Sequence, residues 1–183
     1  MTVGAFIDIE TTGLKQADGH RMVEFGAVLY ELETKRKLGK YIQRINPQRP
    51  IDPKAQAVHG ISFEDVAGMP TLDEVAPMIV RILNAGSFHV AHNGEGFDAP
   101  FIRNELIRIG VDLEHRPMVD TMLQGRWATA MGKYPNLGEL CFATGVDYDT
   151  KQAHGAEYDI TVMADAFFVG YDKGFFNYKE SES

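Results

Sequence analysis

Two carboxylates stand one residue apart in Phe6-Ile7-Asp8-Ile9-Glu10. Residues i and i+2 of a strand point to one face. Asp8 and Glu10 would then lie side by side on an otherwise apolar strand, where they repel and lose solvation. A divalent cation removes both costs, and hard cations choose oxygen ligands. Two acids facing solvent at a strand end is the plainer alternative. The turn that follows, Thr11-Thr12-Gly13-Leu14, includes a glycine that lets backbone come close to a partner. Asp98 ends the stretch His92-Asn93-Gly94-Glu95-Gly96-Phe97-Asp98 at the expected start of a helix. An acid there can hold a cation or simply cap the helix. His154 stands five residues before Asp159, so a loop and the helix after it can address one place. A surface histidine and an exposed acid, with Glu157 as the helix-start residue, fit the same text.

The elements that must position these residues follow from periodicity. Val3–Ile9 is a short apolar run suited to a buried strand. Arg21–Leu32 and Lys40–Ile45 interleave apolar and polar residues, and polar Glu33–Gly39 reads as the hairpin loop between them. Three strands on short connections imply an antiparallel meander. After the Pro-rich passage Asn46–Pro53, helical spacing appears at Glu74–Leu83 and Ala99–Ile109. Short strands are expected at Ser87–Ala91 and Pro117–Asp120, and helices at Thr121–Met131, Asn136–Ala143 and Glu157–Phe168. The pattern is an α/β domain with a mixed sheet.

Length and composition narrow the classes further. The chain has 183 residues, 44% of them hydrophobic and 24% charged, which suits one globular domain and excludes intrinsic disorder. Residues 1–175 are expected to form that domain and 176–183 a short solvated tail. Cys141 is the sole cysteine, which excludes an internal disulfide and a thiolate zinc cage. The sequence shows neither a signal-peptide pattern nor an apolar run near the length of a membrane span, so a cytoplasmic location is expected. A net charge of −8 argues against long-range attraction of nucleic acid. Lys35–Lys54, however, holds seven basic residues and one acid. That stretch could guide a polyanion or dock a partner, or be a solvated hairpin.

Taken together, three segments resemble the motifs of one family. Phe6-Ile7-Asp8-Ile9-Glu10-Thr11-Thr12-Gly13-Leu14, then Val90-Ala91-His92-Asn93 through Phe97-Asp98, then His154-Gly155-Ala156-Glu157-Tyr158-Asp159 are similar, in order and spacing, to those of the DEDDh (DnaQ-like) 3′–5′ exonucleases. The likeness is greatest to the proofreading epsilon subunits of bacterial DNA polymerase III and extends to ribonuclease T. It spans roughly residues 3–170 and includes Val58-His59-Gly60-Ile61 and Asn136-Leu137-Gly138-Glu139-Leu140-Cys141. The resemblance implies an RNase H-like fold with a five-stranded mixed sheet flanked by helices. It implies a metal-dependent nuclease that releases nucleoside monophosphates from the 3′ ends of single-stranded DNA. Asp8, Glu10, Asp98 and Asp159 would hold two divalent ions, Mg2+ or Mn2+, and His154 would be the general base. Thr11, His59 and Phe97 would line the pocket of the terminal nucleotide, although His59 also reads as a loop histidine and Phe97 as a core residue.

The family has a histidine branch and a tyrosine branch, the tyrosine standing four residues before the last acid. Here that position is Gly155, so the resemblance places the chain in the histidine branch. One departure is evident: three residues, Gly94, Glu95 and Gly96, separate Asn93 from Phe97, where the family usually has two. The text after the last helix shows no evident tether to a polymerase, so a stand-alone nuclease is expected, with a DNA polymerase as the candidate partner otherwise. Two alternatives stay open: a 3′–5′ exoribonuclease like ribonuclease T, and a catalytically silent domain that binds nucleic acid or a polymerase.

Overall fold

A computed structural model describes residues 1–178. Strands β1 (Val3–Thr11), β2 (Met22–Glu31) and β3 (Lys37–Arg44) form the expected antiparallel meander. β4 (Phe88–Ala91) and β5 (Met118–Asp120) run parallel to β1, giving one mixed sheet in the order β3-β2-β1-β4-β5. Parallel neighbours need crossover connections. Helix α3 (Leu72–Ala85) leads into β4, and α4 (Asp98–Arg108) joins β4 to β5. Helices α5 (Leu137–Thr144) and α6 (Ala156–Asp172) complete the fold. It is RNase H-like.

Two cores lie on opposite faces of the sheet. Phe6, Val28, Phe88, Val90 and Val119 pack against α5 and α6. Ile7, Ile9, Phe25 and Ala27 pack against α3 and α4. The alternation along β1 therefore sends Phe6, Asp8 and Glu10 to the α6 side and Ile7 and Ile9 to the other. Gly26 lies opposite Asp8 in register. A Cβ there would stand 2.8 Å from Ile160 Cδ1 and 2.9 Å from Ala156 Cβ. This missing side chain lets the first turn of α6 settle onto the strand that faces Asp8.

Several expectations change. The Pro-rich passage ends in two short helices, α1 (Pro53–His59) and α2 (Phe63–Val66). Asp52 caps the first by accepting from Lys54 N–H, Pro53 occupies its first turn, and left-handed Gly60 ends it. The helix expected at 121–131 is instead a set of turns with one 3₁₀ stretch, Gln124–Ala128. The Asp120 carboxylate takes the N–H groups of Met122 and Leu123, which turns the chain at once. Trp127 is then held against Phe175 and Phe176. The domain boundary at 175 falls inside packed chain. Phe176 is fully buried beside Gly170 and stacks on Phe167, and Tyr178 stacks on Phe88 with centroids 4.5 Å apart. The rest of the expected tail, 179–183, lies outside the described residues.

The basic stretch is largely spent within the molecule. Lys35 pairs with Asp172, Lys40 with Glu157, and Arg44 with Glu24 at 3.3 Å. These pairs run from the hairpin to α6 and β2, and as exposed contacts the first two contribute little energy. Lysines along an edge strand such as β3 also discourage pairing with another chain.

Candidate active site

Four carboxylates from three separate segments meet at the end of β1. Asp8 and Glu10 project from its α6 face. A bulge follows them: Glu10 pairs with Glu24 but Thr11 with Met22, so β1 and β2 change register at the site. Such irregularities re-aim side chains next to functional centres. Beyond Phe6 and Val90 the pairing of β1 with β4 stops. There Asp98, at the first position of α4, accepts the N–H of Ile9 on Oδ1 at 3.2 Å. That bond places its carboxylate beside Asp8. Phe97 holds the cap position of α4, so the capping alternative for Asp98 does not apply.

Asp159 approaches from the first turn of α6 and is 9% exposed. His154 has a left-handed backbone, φ 65°, and its N–H donates to Asp159 Oδ2 at 2.9 Å. This tight turn folds the loop over the helix start. Ligand atoms of Glu10, His154 and Asp159 all lie within 4.8 Å of one another. The five residues singled out by motif are therefore brought to one place.

The charges in this cluster lack compensation. Asp8 Oδ2 and Asp159 Oδ1 are buried without a hydrogen-bond partner. Burial raises the Asp8 carboxyl well above its usual range, and Asp98, Glu10 and Asp159 raise it further. Burial, Asp159 and Glu24 push Glu10 up to about 8. Burial pushes Asp98 up to about 7, against the lowering effect of its backbone hydrogen bonds. Orphaned buried oxygens and carboxyls that resist ionisation fit a group of hard cations, and the donor set is all oxygen with one nearby imidazole.

Carboxyls in an unfolded chain ionise near pH 4, while Glu10 and Asp98 in the fold hold their protons to about 8 and about 7. Their stabilising contribution is complete below about pH 4 and is lost as pH rises through about 8. Chelated protein is expected to melt at lower temperature at pH 8.5 than at pH 5, with Asp8→Asn flattening that slope and Mn2+ restoring the melting temperature at pH 8.5. A flat profile for the chelated wild type would show that the cluster already has a compensating partner.

Two cavities flank the carboxylates. One, of about 1100 Å³, is lined by Asp8, Asp159, His154, Tyr148 and Phe142. The other, of about 550 Å³, is lined by Glu10, Thr11, Leu14, His20, His59 and Phe97. Thr11, His59 and Phe97 are thus grouped around one cavity with Glu10. The Thr11 hydroxyl donates to Gly13 O at 3.0 Å, which leaves its oxygen free to accept. His59 Nδ1 accepts the N–H of Ile61 at 3.0 Å, so Nε2 carries the hydrogen and donates to Thr11 O at 3.1 Å. His59 therefore both fixes its own turn and ties it to β1. Phe97 is half-buried, packs on Phe101 at 5.5 Å and still faces the cavity.

Glu24 is a contributor that the motifs did not single out. It is buried across from Glu10, accepts Ala156 N–H at 3.2 Å and takes the Arg44 guanidinium at 3.3 Å. It holds the start of α6 against the sheet. A lone acid within the otherwise apolar stretch Met22–Leu29 was the signal that could have found it.

The profile of the RNase_T exonuclease family matches residues 5–167. The chain belongs to that exonuclease family. It is a 3′–5′ exonuclease of a metal-dependent kind, and the histidine at 154 is in keeping with the DEDDh type. The exonuclease is 34% identical to DNA polymerase III subunit epsilon of Haemophilus influenzae over 184 residues, which covers 96% of this chain and 70% of that one. Its fold matches Escherichia coli exonuclease I in complex with a dT13 oligonucleotide, with TM-score 0.77, 18% identity, and coverage of 93% of this chain and 41% of that one. It also matches the nuclease domain of 3′hExo bound to rAMP, with TM-score 0.76, 16% identity, and coverage of 97% and 96%. Among the described residues, no helix of the exonuclease is long and apolar enough to cross a membrane.

Proposed function

We propose that this exonuclease removes nucleoside monophosphates from the 3′ ends of single-stranded DNA. The observation that supports this most is the meeting of Asp8, Glu10, Asp98 and Asp159 with two buried, unpartnered oxygens and His154 beside them. In this reading the four acids hold two divalent cations, Mg2+ or Mn2+. Asp8 would serve both sites, Glu10 and Asp159 would complete one, and Asp98 would serve the other. When bound, such ions stabilise charge on the attacking and leaving oxygens of an in-line displacement.

The chain's own residues then have separate tasks. His154 accepts a proton from the attacking water. Its backbone N–H on Asp159 keeps the ring over the cluster. The cavity on the Glu10 side receives the terminal nucleotide, with Thr11 Oγ1 accepting from the 3′ hydroxyl, Phe97 against the base, and His59 holding the wall. The larger cavity on the His154 side receives the strand that precedes it. The likeness to polymerase III subunits supports proofreading beside a DNA polymerase, in the cytoplasm, as the setting.

Oligonucleotides labelled at either end test this reading. With Mn2+ or Mg2+, 3′-labelled single-stranded DNA is expected to release labelled mononucleotide first, whereas 5′-labelled DNA shortens as a ladder and chelator stops both. Faster trimming of RNA than of DNA would favour the exoribonuclease reading. No cleavage of either would favour a silent binding domain.

A further inference from the structure

We propose that Asp120 is a positioning residue: its buried carboxylate is the anchor on which the enlarged loop before Asp98 is built, and through that loop it sets where Asp98 stands. The inference rests on the reading of Asp98 as a cation ligand. Asp120 ends β5, lies beside Ala91 in register and is 1% exposed. It lines neither cavity that flanks the cluster. Its oxygens accept four backbone N–H groups. Oδ1 takes those of Asn93 at 3.1 Å, Met122 at 2.9 Å and Leu123 at 3.1 Å. Oδ2 takes that of Glu95 at 3.0 Å. Bonds from N–H to an ionised carboxylate are stronger than those between neutral groups.

Two of the four bonds fix the loop itself. Asn93 is left-handed, φ 64°, and its carbonyl accepts Phe97 N–H at 2.9 Å, which closes the loop on itself. Gly94 is pressed between neighbours, since a Cβ there would meet Ala91 Cβ at 2.4 Å and Met118 Sδ at 2.8 Å. Gly94 O then accepts Ala99 N–H at 2.9 Å, which ties the loop into α4. The additional residue of Gly94-Glu95-Gly96 is absorbed here: Glu95 N–H is held by Asp120, while the Glu95 side chain is exposed. Asp98 emerges from this closed turn with its Oδ1 on Ile9 N–H, next to Asp8. The path from Asp120 to Asp98 is thus backbone held by hydrogen bonds at each step.

The experiment is a double-mutant cycle read by Mn2+ binding calorimetry, with turnover as a second readout. Asp120→Asn keeps one acceptor oxygen for the three bonds of Oδ1 and loses acceptance of Glu95 N–H. Residues that orient metal ligands typically contribute about 10–100-fold in metal affinity or activity. Asp120→Asn is expected to weaken Mn2+ binding by about tenfold or more and to lower kcat with KM for oligonucleotide little changed. In an Asp98→Ala background the same substitution is expected to weaken Mn2+ no further, because its effect runs through Asp98. Equal loss in both backgrounds, or a lower melting temperature with unaltered Mn2+ affinity, would overturn the proposal. Should Asp120→Asn fail to fold, Glu95→Pro removes the N–H that Oδ2 accepts, at an exposed position and with φ fixed there as well, and the same cycle decides. Undiminished Mn2+ affinity in Asp98→Ala alone would instead overturn the reading of Asp98.

Discussion

Asp8→Ala lowers turnover by roughly a thousandfold or more, while the chelated variant melts at or above the temperature of the wild type. Cation stabilisation of a displacement is worth several kcal/mol, and each 1.4 kcal/mol is about tenfold in rate. Asp8 is the acid most surrounded by others: Asp98, Glu10, Asp159 and Glu24 all disfavour its ionised form. Its Oδ2 has no partner in the fold. Removing it relieves repulsion in the cation-free protein and takes away the oxygen that both ions would share. The two readouts must therefore move apart. Loss of activity together with loss of fold would assign Asp8 to structure, and full activity would remove it from the site.

His154→Ala is expected to lose about 10²–10⁴-fold in turnover, the usual worth of a general base. His154 is held by its N–H on Asp159 and by a left-handed turn, with its ring among ligand atoms of Glu10 and Asp159. That geometry fits a base and also fits a direct ligand. Mn2+ calorimetry separates them: a base leaves the affinity unchanged, a ligand does not. Unchanged turnover at saturating Mn2+ would show that another group takes the proton.

Much of this centre was legible because it depends on local rules. Alternation along Val3–Ile9 placed Asp8 and Glu10 on one face, and the structure adds that this is the face against α6. The spacing of His154 and Asp159 follows from a loop that turns into a helix. What escaped the sequence depends on contacts between distant segments. Glu24 is a strand acid until Ala156 and Arg44 reach it from 132 and 20 residues away. Asp120 reads as a strand end, and only the return of the loop at 93–95 adds two distant donors to the two that Met122 and Leu123 supply locally. The helix expected at 121–131 is reduced to turns and one 3₁₀ stretch, although Asp120 accepts the N–H groups of Met122 and Leu123 as a helix N-cap would. Phe176 reads as the edge of a polar tail. The pocket that receives it exists because Gly170, on α6, has no side chain.

The claim that four acids form a two-cation centre is tested most directly by crystals grown with Mn2+ and examined by anomalous diffraction. The expected result is two manganese peaks within the cluster, one contacted by Asp8, Glu10 and Asp159 and the other by Asp8 and Asp98. No peak there, or a single ion held by Glu10, His154 and Asp159 with Asp8 and Asp98 uninvolved, would contradict it.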